Sequence, residues 1–190
     1  MSDRLNLYDA LNSTYQNENK QESTMEKFGY NRDNEISNDN YQAYHKNGKL
    51  LFTVTGTHSK KDIITDGMLG LGLIKHSTRY KSSDKALTYA KKKYNISDGN
   101  TTVIGHSLGG NLANLISSKS DKVITYNSGN TIGSKTRSNN KAYRTKGDYV
   151  SILGNNQINL RNNYLPIRGI IGNGLKSHTI ENLKNEKIFI

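Results

Sequence analysis

The stretch Thr101-Thr102-Val103-Ile104-Gly105-His106-Ser107-Leu108-Gly109-Gly110 (TTVIGHSLGG) changes character half-way. Thr101–Ile104 is β-branched throughout, as a buried strand is. Gly105-His106-Ser107-Leu108-Gly109 then matches the pattern G-x-S-x-G, and NLANLI (111–116) continues at helical spacing. A serine on a sharp strand-to-helix turn projects from the end of a sheet beside a helix N-terminus, where negative charge is stabilised. Glycines on either side leave room for strand and helix to close up. The pentapeptide alone arises readily by chance in a chain with 17 glycines, so its meaning depends on its surroundings.

Outward from this turn the chain reads as alternating strands and helices. YQAYH (41–45), an Asn47-Gly48 pair and KLLFTVT (49–55) predict a hairpin, since Asn-Gly favours the tight turn that matches strand twist. Leu50–Thr55 is almost continuously apolar or β-branched, as in a central strand. Ser82-Ser83-Asp84 reads as the cap of a helix carrying Ala86, Leu87, Tyr89, Ala90 and Tyr94. Lys122–Tyr126 and Ala142–Arg144 read as further strands. Leu5, Tyr8, Leu11 and Tyr15 recur at helical spacing and predict a first helix, and 31–40 reads as loop. The expected fold class is therefore α/β, with a mostly parallel central sheet flanked by helices. A polar N-terminal helix and loop (1–40) would pack on a main domain formed by 41–190, the whole making one domain.

Composition narrows the chemistry. The 190 residues contain no cysteine, which excludes disulfides, thiol nucleophiles and Cys-ligated zinc and leaves the compartment open. The first twenty residues lack a basic segment followed by an apolar one, and no run approaches the ~18 apolar residues of a membrane span, so neither a secretory leader nor a membrane anchor is expected. The net charge is +11, carried mostly by lysine. Such a field attracts anionic surfaces or polyanions, but a lysine-rich solvated surface is the plainer interpretation.

A serine hydroxyl needs a base to become a nucleophile. In strand–turn–helix sites of this kind the chain order is serine, acid, histidine. Of the five histidines, His45, His58, His76 and His106 precede Ser107, and His178 alone follows it. Between them lie two acids, Asp121 and Asp148. Asp121 enters a strand, at the wrong end of the sheet, whereas Asp148 follows one. The expected catalytic set is Ser107 as nucleophile, Asp148 as acid and His178 as base. Leu108, through its backbone N–H, and Thr57, in the turn VTGTHS (54–59) at the end of a neighbouring strand, are the expected donors to an oxyanion. His106, inside the turn and upstream of the acid, is expected to pack or hydrogen-bond rather than act as base.

TVTGTHSKKDIITD (53–66), GHSLGGNLA (105–113), GDYVSILG (147–154) and SHTIENL (177–183) together resemble, in the same order, the class 3 (fungal-type) lipase family. The resemblance spans about residues 40–183, and the serine turn is its most specific part. It implies an α/β-hydrolase fold, hydrolysis of carboxylic esters without metal or other cofactor, and the roles just given for Ser107, Asp148, His178, Thr57 and Leu108. Thr55 stands where the family usually has arginine, and Ile63 where an aromatic residue is common. In such lipases a mobile lid follows the oxyanion residue. Residues 59–74 occupy that place, so Ile63, Ile64, Met68, Leu69 and Leu71 are candidates to meet an acyl chain, with Gly67, Gly70 and Gly72 as hinges.

The expected substrate is a lipid or phospholipid ester, with peripheral contact to an anionic membrane surface as a further expectation. Two other classes remain: a lipase-like module that binds membranes without turnover, and a polyanion binder suggested by Lys91-Lys92-Lys93. No nucleic-acid motif accompanies that run, which ends a helix where lysines suit the dipole, so no specific nucleic-acid partner is expected.

Overall fold

The computed structural model describes residues 4–57, 74–129, 138–145, 148, 150–151, 157–160 and 177–190. A seven-stranded sheet runs in chain order: β1 (Asn31–Arg32), β2 (Tyr41–Lys46), β3 (Lys49–Val54), β4 (Thr101–His106), β5 (Lys122–Tyr126), β6 (Asn140–Thr145) and β7 (Ile158–Leu160). The pairs from β1 to β3 are antiparallel, and every pair from β3 to β7 is parallel. The expected α/β class with a mostly parallel sheet is thus the architecture observed.

The hairpin between β2 and β3 forms where Asn47-Gly48 predicts it. Both turn residues have positive φ, 48° and 71°, a combination Asn and Gly tolerate best. Side-chain alternation then divides the core between the two faces of the sheet. Phe52, Val54, Val103 and Val123 face α3 (Thr78–Lys93) and α4 (Leu108–Ile116), where Leu87, Ala90, Leu112, Ala113 and Ile116 are buried. Leu51, Ile104, Ile124 and Tyr126 face the other way, against α1 (Leu7–Ser13), α2 (Glu18–Glu26) and a C-terminal 3₁₀ turn (Ile180–Leu183). The two chain ends close over this second layer: Leu7 N–H donates to Ile188 O at 2.8 Å and Ile190 N–H to Leu5 O at 3.1 Å.

Several local expectations differ from the structure. α1 begins only at Leu7, capped by the Asn6 side chain, so Leu5 precedes it and Tyr15 follows it. α3 starts at Thr78, with the Ser77 side chain accepting from Tyr80 N–H, rather than at Ser82-Ser83-Asp84. Ser83 lies fully buried inside that helix. β4 runs two residues further than Ile104, to His106. β1, α2 and β7 were not expected. Among the described residues no helix is long and apolar enough to cross a membrane.

Candidate active site

Strands β3, β4, β5 and β6 all point the same way, so the segments leaving them converge on one edge of the sheet. That edge receives Gly56-Thr57 after β3, Ser107 after β4, Asn127 after β5 and Asp148 after β6.

Ser107 adopts φ 58°, ψ −127°, a conformation that non-glycine residues rarely hold. Neighbouring backbone fixes it there. Ser107 N–H donates to Tyr126 O at 3.1 Å, and its carbonyl accepts from Gly129 N–H and Gly110 N–H, each at 3.0 Å. The flanking glycines permit the turn by their lack of a side chain. A β-carbon on Gly105 would press into the Gly109 carbonyl, and one on Gly109 into the carbonyls of Val54 and Thr55. Strand β3, strand β4 and helix α4 therefore meet backbone to backbone beneath the serine.

His178 Nε2 lies 2.7 Å from Ser107 Oγ, and His178 Nδ1 lies 2.8 Å from Asp148 Oδ1. All three side chains are buried. Asp148 also accepts from Val150 N–H at 3.2 Å and Ser151 N–H at 3.1 Å. Burial works to raise the Asp148 carboxyl, but the hydrogen bond from His178, with the Ser151 and Val150 contacts, outweighs it and holds the pKa below the usual carboxylate value. An ionised Asp148 only accepts, so His178 Nδ1 carries the proton and Nε2 presents its lone pair to the Ser107 hydroxyl.

Leu108 opens α4 directly after Ser107, which places its backbone N–H among the unpaired donors of a helix N-terminus. Gly56 packs beside Ser107, and Thr57 follows it, half-buried. Ile63, Ile64, Met68, Leu69 and Leu71 lie outside the described residues, as do the hinge glycines. Ile74, at the end of that stretch, is buried in a 3₁₀ turn (Ile74–His76) within the core against α3.

Asp121, the other acid between Ser107 and His178, sits at the opposite end of the sheet. It precedes β5 and pairs with Lys91. His106 makes no contact suited to a base for Ser107. Its ring stacks on Tyr126 and bonds through both nitrogens, to Tyr15 and to the His178 backbone carbonyl.

Supporting residues without a sequence signal complete the site. The Arg79 guanidinium, from α3, donates to the carbonyls of Thr55 and Gly56 and so pins the strand end before Thr57. Asn127 donates to Ser177 O at 2.9 Å and accepts from Thr145 N–H at 2.8 Å, linking the segments that carry His178 and Asp148. Tyr126 hydroxyl bonds to Thr145 Oγ1 beside it. Each is an ordinary polar residue whose partner is far away in the sequence. Among the described residues no group of three or more His, Asp or Glu side chains is arranged to hold a metal.

Comparison with known proteins returns nothing: no family model matches the chain, and neither a curated protein nor a solved structure does.

Proposed function

We propose that this chain is a serine hydrolase of carboxylic esters with an α/β-hydrolase fold, acting on lipid or phospholipid esters. The observation that carries the reading is the continuous chain Ser107 Oγ, His178 Nε2, His178 Nδ1, Asp148 Oδ1, with links of 2.7 and 2.8 Å at the C-terminal edge of a parallel sheet. A helix N-terminus and a Gly-Thr strand end adjoin the same serine.

Catalysis proceeds by two acyl transfers. Ser107 Oγ bonds to the ester carbonyl carbon as its proton passes to His178 Nε2, and the carbonyl π electrons move onto oxygen. The N–H of Leu108 and Thr57 stabilise that oxyanion. On collapse the C–O bond to the alcohol breaks and His178 returns the proton to the leaving oxygen. Water then attacks the acyl-serine by the same route, releasing the acid and restoring Ser107. Asp148 keeps His178 in the required tautomer and stabilises the imidazolium formed in each half-reaction.

The lipid part of the reading rests on the resemblance of the site segments to class 3 lipases and on the apolar stretch at 63–74. The basic charge is less specific. Lys122 has Lys141, Arg4 and Lys49 as neighbouring cations, and they cluster at the starts of the parallel strands, remote from Ser107. That cluster favours polyanion binding as a second reading, one that leaves the ester site free.

The deciding experiment assays p-nitrophenyl esters and phospholipid vesicles, anionic and neutral, with wild type and Ser107→Ala. Ester turnover and fluorophosphonate labelling that both vanish in Ser107→Ala are expected, with faster hydrolysis of anionic vesicles at low salt. Binding to vesicles without turnover would favour a silent membrane module. Salt-sensitive retention on DNA without esterase activity would favour the polyanion reading.

A further inference from the structure

Three hydrogen bonds run from the strand end beside Ser107 to the loop that bears the base. Gly56 N–H donates to the Tyr15 hydroxyl oxygen at 3.1 Å. The Tyr15 hydroxyl lies 2.8 Å from His106 Nδ1, and His106 Nε2 lies 2.7 Å from the His178 carbonyl oxygen. A carbonyl oxygen only accepts, so the His106 proton sits on Nε2. Nδ1 is then a bare lone pair and takes its hydrogen bond from Tyr15 O–H. Tyr15 in turn uses its oxygen to accept from Gly56. One proton arrangement satisfies every link, and it gives the chain a fixed direction from Gly56 to His178.

The surroundings hold that arrangement. His106 is buried, its ring centroid 4.9 Å from that of His178 and 5.7 Å from that of Tyr126, while Tyr15 meets it edge-on at 6.0 Å. Burial, and then the neighbouring His178, push the His106 pKa down to about 3. Burial raises Tyr15 to about 12. Neither group changes charge near neutrality. Position 56 is also closed to a side chain, because a β-carbon there would run into the Tyr15 hydroxyl and the His106 carbonyl.

We propose that Tyr15 and His106 are positioning residues that lock the Gly56-Thr57 strand end and the His178 backbone into one frame, so that the oxyanion donors and the general base are set relative to each other before substrate arrives. The inference rests on the ester-hydrolase reading of Ser107, His178 and Asp148. Tyr15 belongs to the N-terminal segment, so that segment completes the site from outside the strand–helix core. A link of this kind matters because misplacement of reacting groups by about 1 Å can cost on the order of 100-fold in rate. Removing the Tyr15 hydroxyl frees the Gly56 N–H and the His106 lone pair together.

The test compares wild type with Tyr15→Phe, His106→Gln and His106→Leu on a soluble p-nitrophenyl ester. Each is also titrated with a trifluoromethyl ketone: Ser107 Oγ adds to its carbonyl carbon, the Ser107 hydroxyl proton passes to His178 Nε2, and the carbonyl oxygen becomes an oxyanion on the donors. Tyr15→Phe is expected to lower kcat about 10- to 100-fold with KM within about twofold, and to weaken ketone binding in parallel. His106→Gln, which keeps one donor and one acceptor, should retain most of the activity that His106→Leu loses. Thermal melts and far-UV circular dichroism score the folded fraction of each variant. Unchanged kcat in Tyr15→Phe, a loss fully accounted for by unfolded protein, or equal activity of the Gln and Leu variants would overturn the proposal. Wild type that neither turns over ester nor takes the fluorophosphonate label would overturn the hydrolase reading first, and this proposal with it.

Discussion

Lys91 Nζ lies 2.6 Å from one carboxylate oxygen of Asp121 and 2.7 Å from the other, with the Asp121 side chain 1% exposed. The same carboxylate accepts from Ser118 N–H at 2.7 Å, so it ties the end of α3 to the turn between α4 and β5. Asp148 is equally buried, but it lies at the other end of the sheet and faces His178. The two acids between Ser107 and His178 therefore divide into one that joins elements and one that orients a histidine. Asp121→Ala is expected to cost about 3 kcal/mol, the lower end for breaking a buried ion pair because Lys91 retains access to water. Its kcat should stay within about twofold of wild type. Asp148→Asn should show the reverse, a fall in kcat of about 1,000-fold or more with a smaller change in stability. Urea unfolding alongside ester kinetics checks both variants.

Ser107 holds its backbone in a region that costs a non-glycine residue roughly 1–3 kcal/mol. Glycine occupies that region freely, so Ser107→Gly should abolish ester turnover while raising the thermal midpoint by about 2–6 °C. Ser107→Ala should abolish turnover equally without that gain. A calorimetric comparison of the two separates backbone strain from loss of the hydroxyl.

Gly109 lies against the carbonyls of Val54 and Thr55, which belong to backbone rather than to movable side chains. Gly109→Ala must therefore push α4 away from the β3 end. A cost of about 3 kcal/mol or more is expected, with loss of ester activity in whatever protein folds. Gly48→Ala, where nothing lies within 4 Å, tests the contrast. Only its positive φ is strained, so about 1 kcal/mol is expected and activity should persist. Denaturation midpoints for the pair decide whether the close approach under Ser107 is as tight as the geometry requires.

How far the sequence reveals this arrangement depends on how local the governing interaction is. The β2–β3 hairpin was legible because Asn47-Gly48 encodes its turn, and β4 with its serine turn because strand, glycines and helix are contiguous. The order of Ser107, Asp148 and His178 could be read by elimination because so few acids and histidines follow the serine. The start of α3 was misread because Ser83 looks like a cap, while the side chain that caps the helix belongs to Ser77. α2 buries only Gln21 and Met25, so no apolar period announces it. β7 is three residues long and draws its place from pairing with β6. Tyr15 was expected on a helix face, yet its hydroxyl bonds to His106, 91 residues away. No local pattern carries such a pairing. Arg79 and Asn127 were missed for the same reason.

Burial of neutral His106 gives stability a specific pH dependence. The folded pKa is about 3, against about 6.5 for an unperturbed histidine. As pH falls below roughly 6.5, the unfolded chain takes up a proton that the folded chain refuses. The contribution of His106 is therefore complete above that pH and is lost as pH falls toward the folded value, at up to about 1.4 kcal/mol per pH unit. The groups facing His106 are Tyr15, Tyr126, His178 and Asp148. Asp148 has a lowered folded pKa, so its own stabilisation is complete above the unfolded carboxylate value of about 3.9 and is lost only below it. Between about pH 6 and pH 4.5 the slope from His106 is thus separable from that of Asp148. Urea unfolding free energies should fall about 2 kcal/mol further in wild type than in His106→Gln across that interval, because glutamine does not titrate. Parallel curves for the two proteins would show that His106 can take up a proton within the fold, and that its hydrogen bonds to Tyr15 and the His178 carbonyl are not rigidly held.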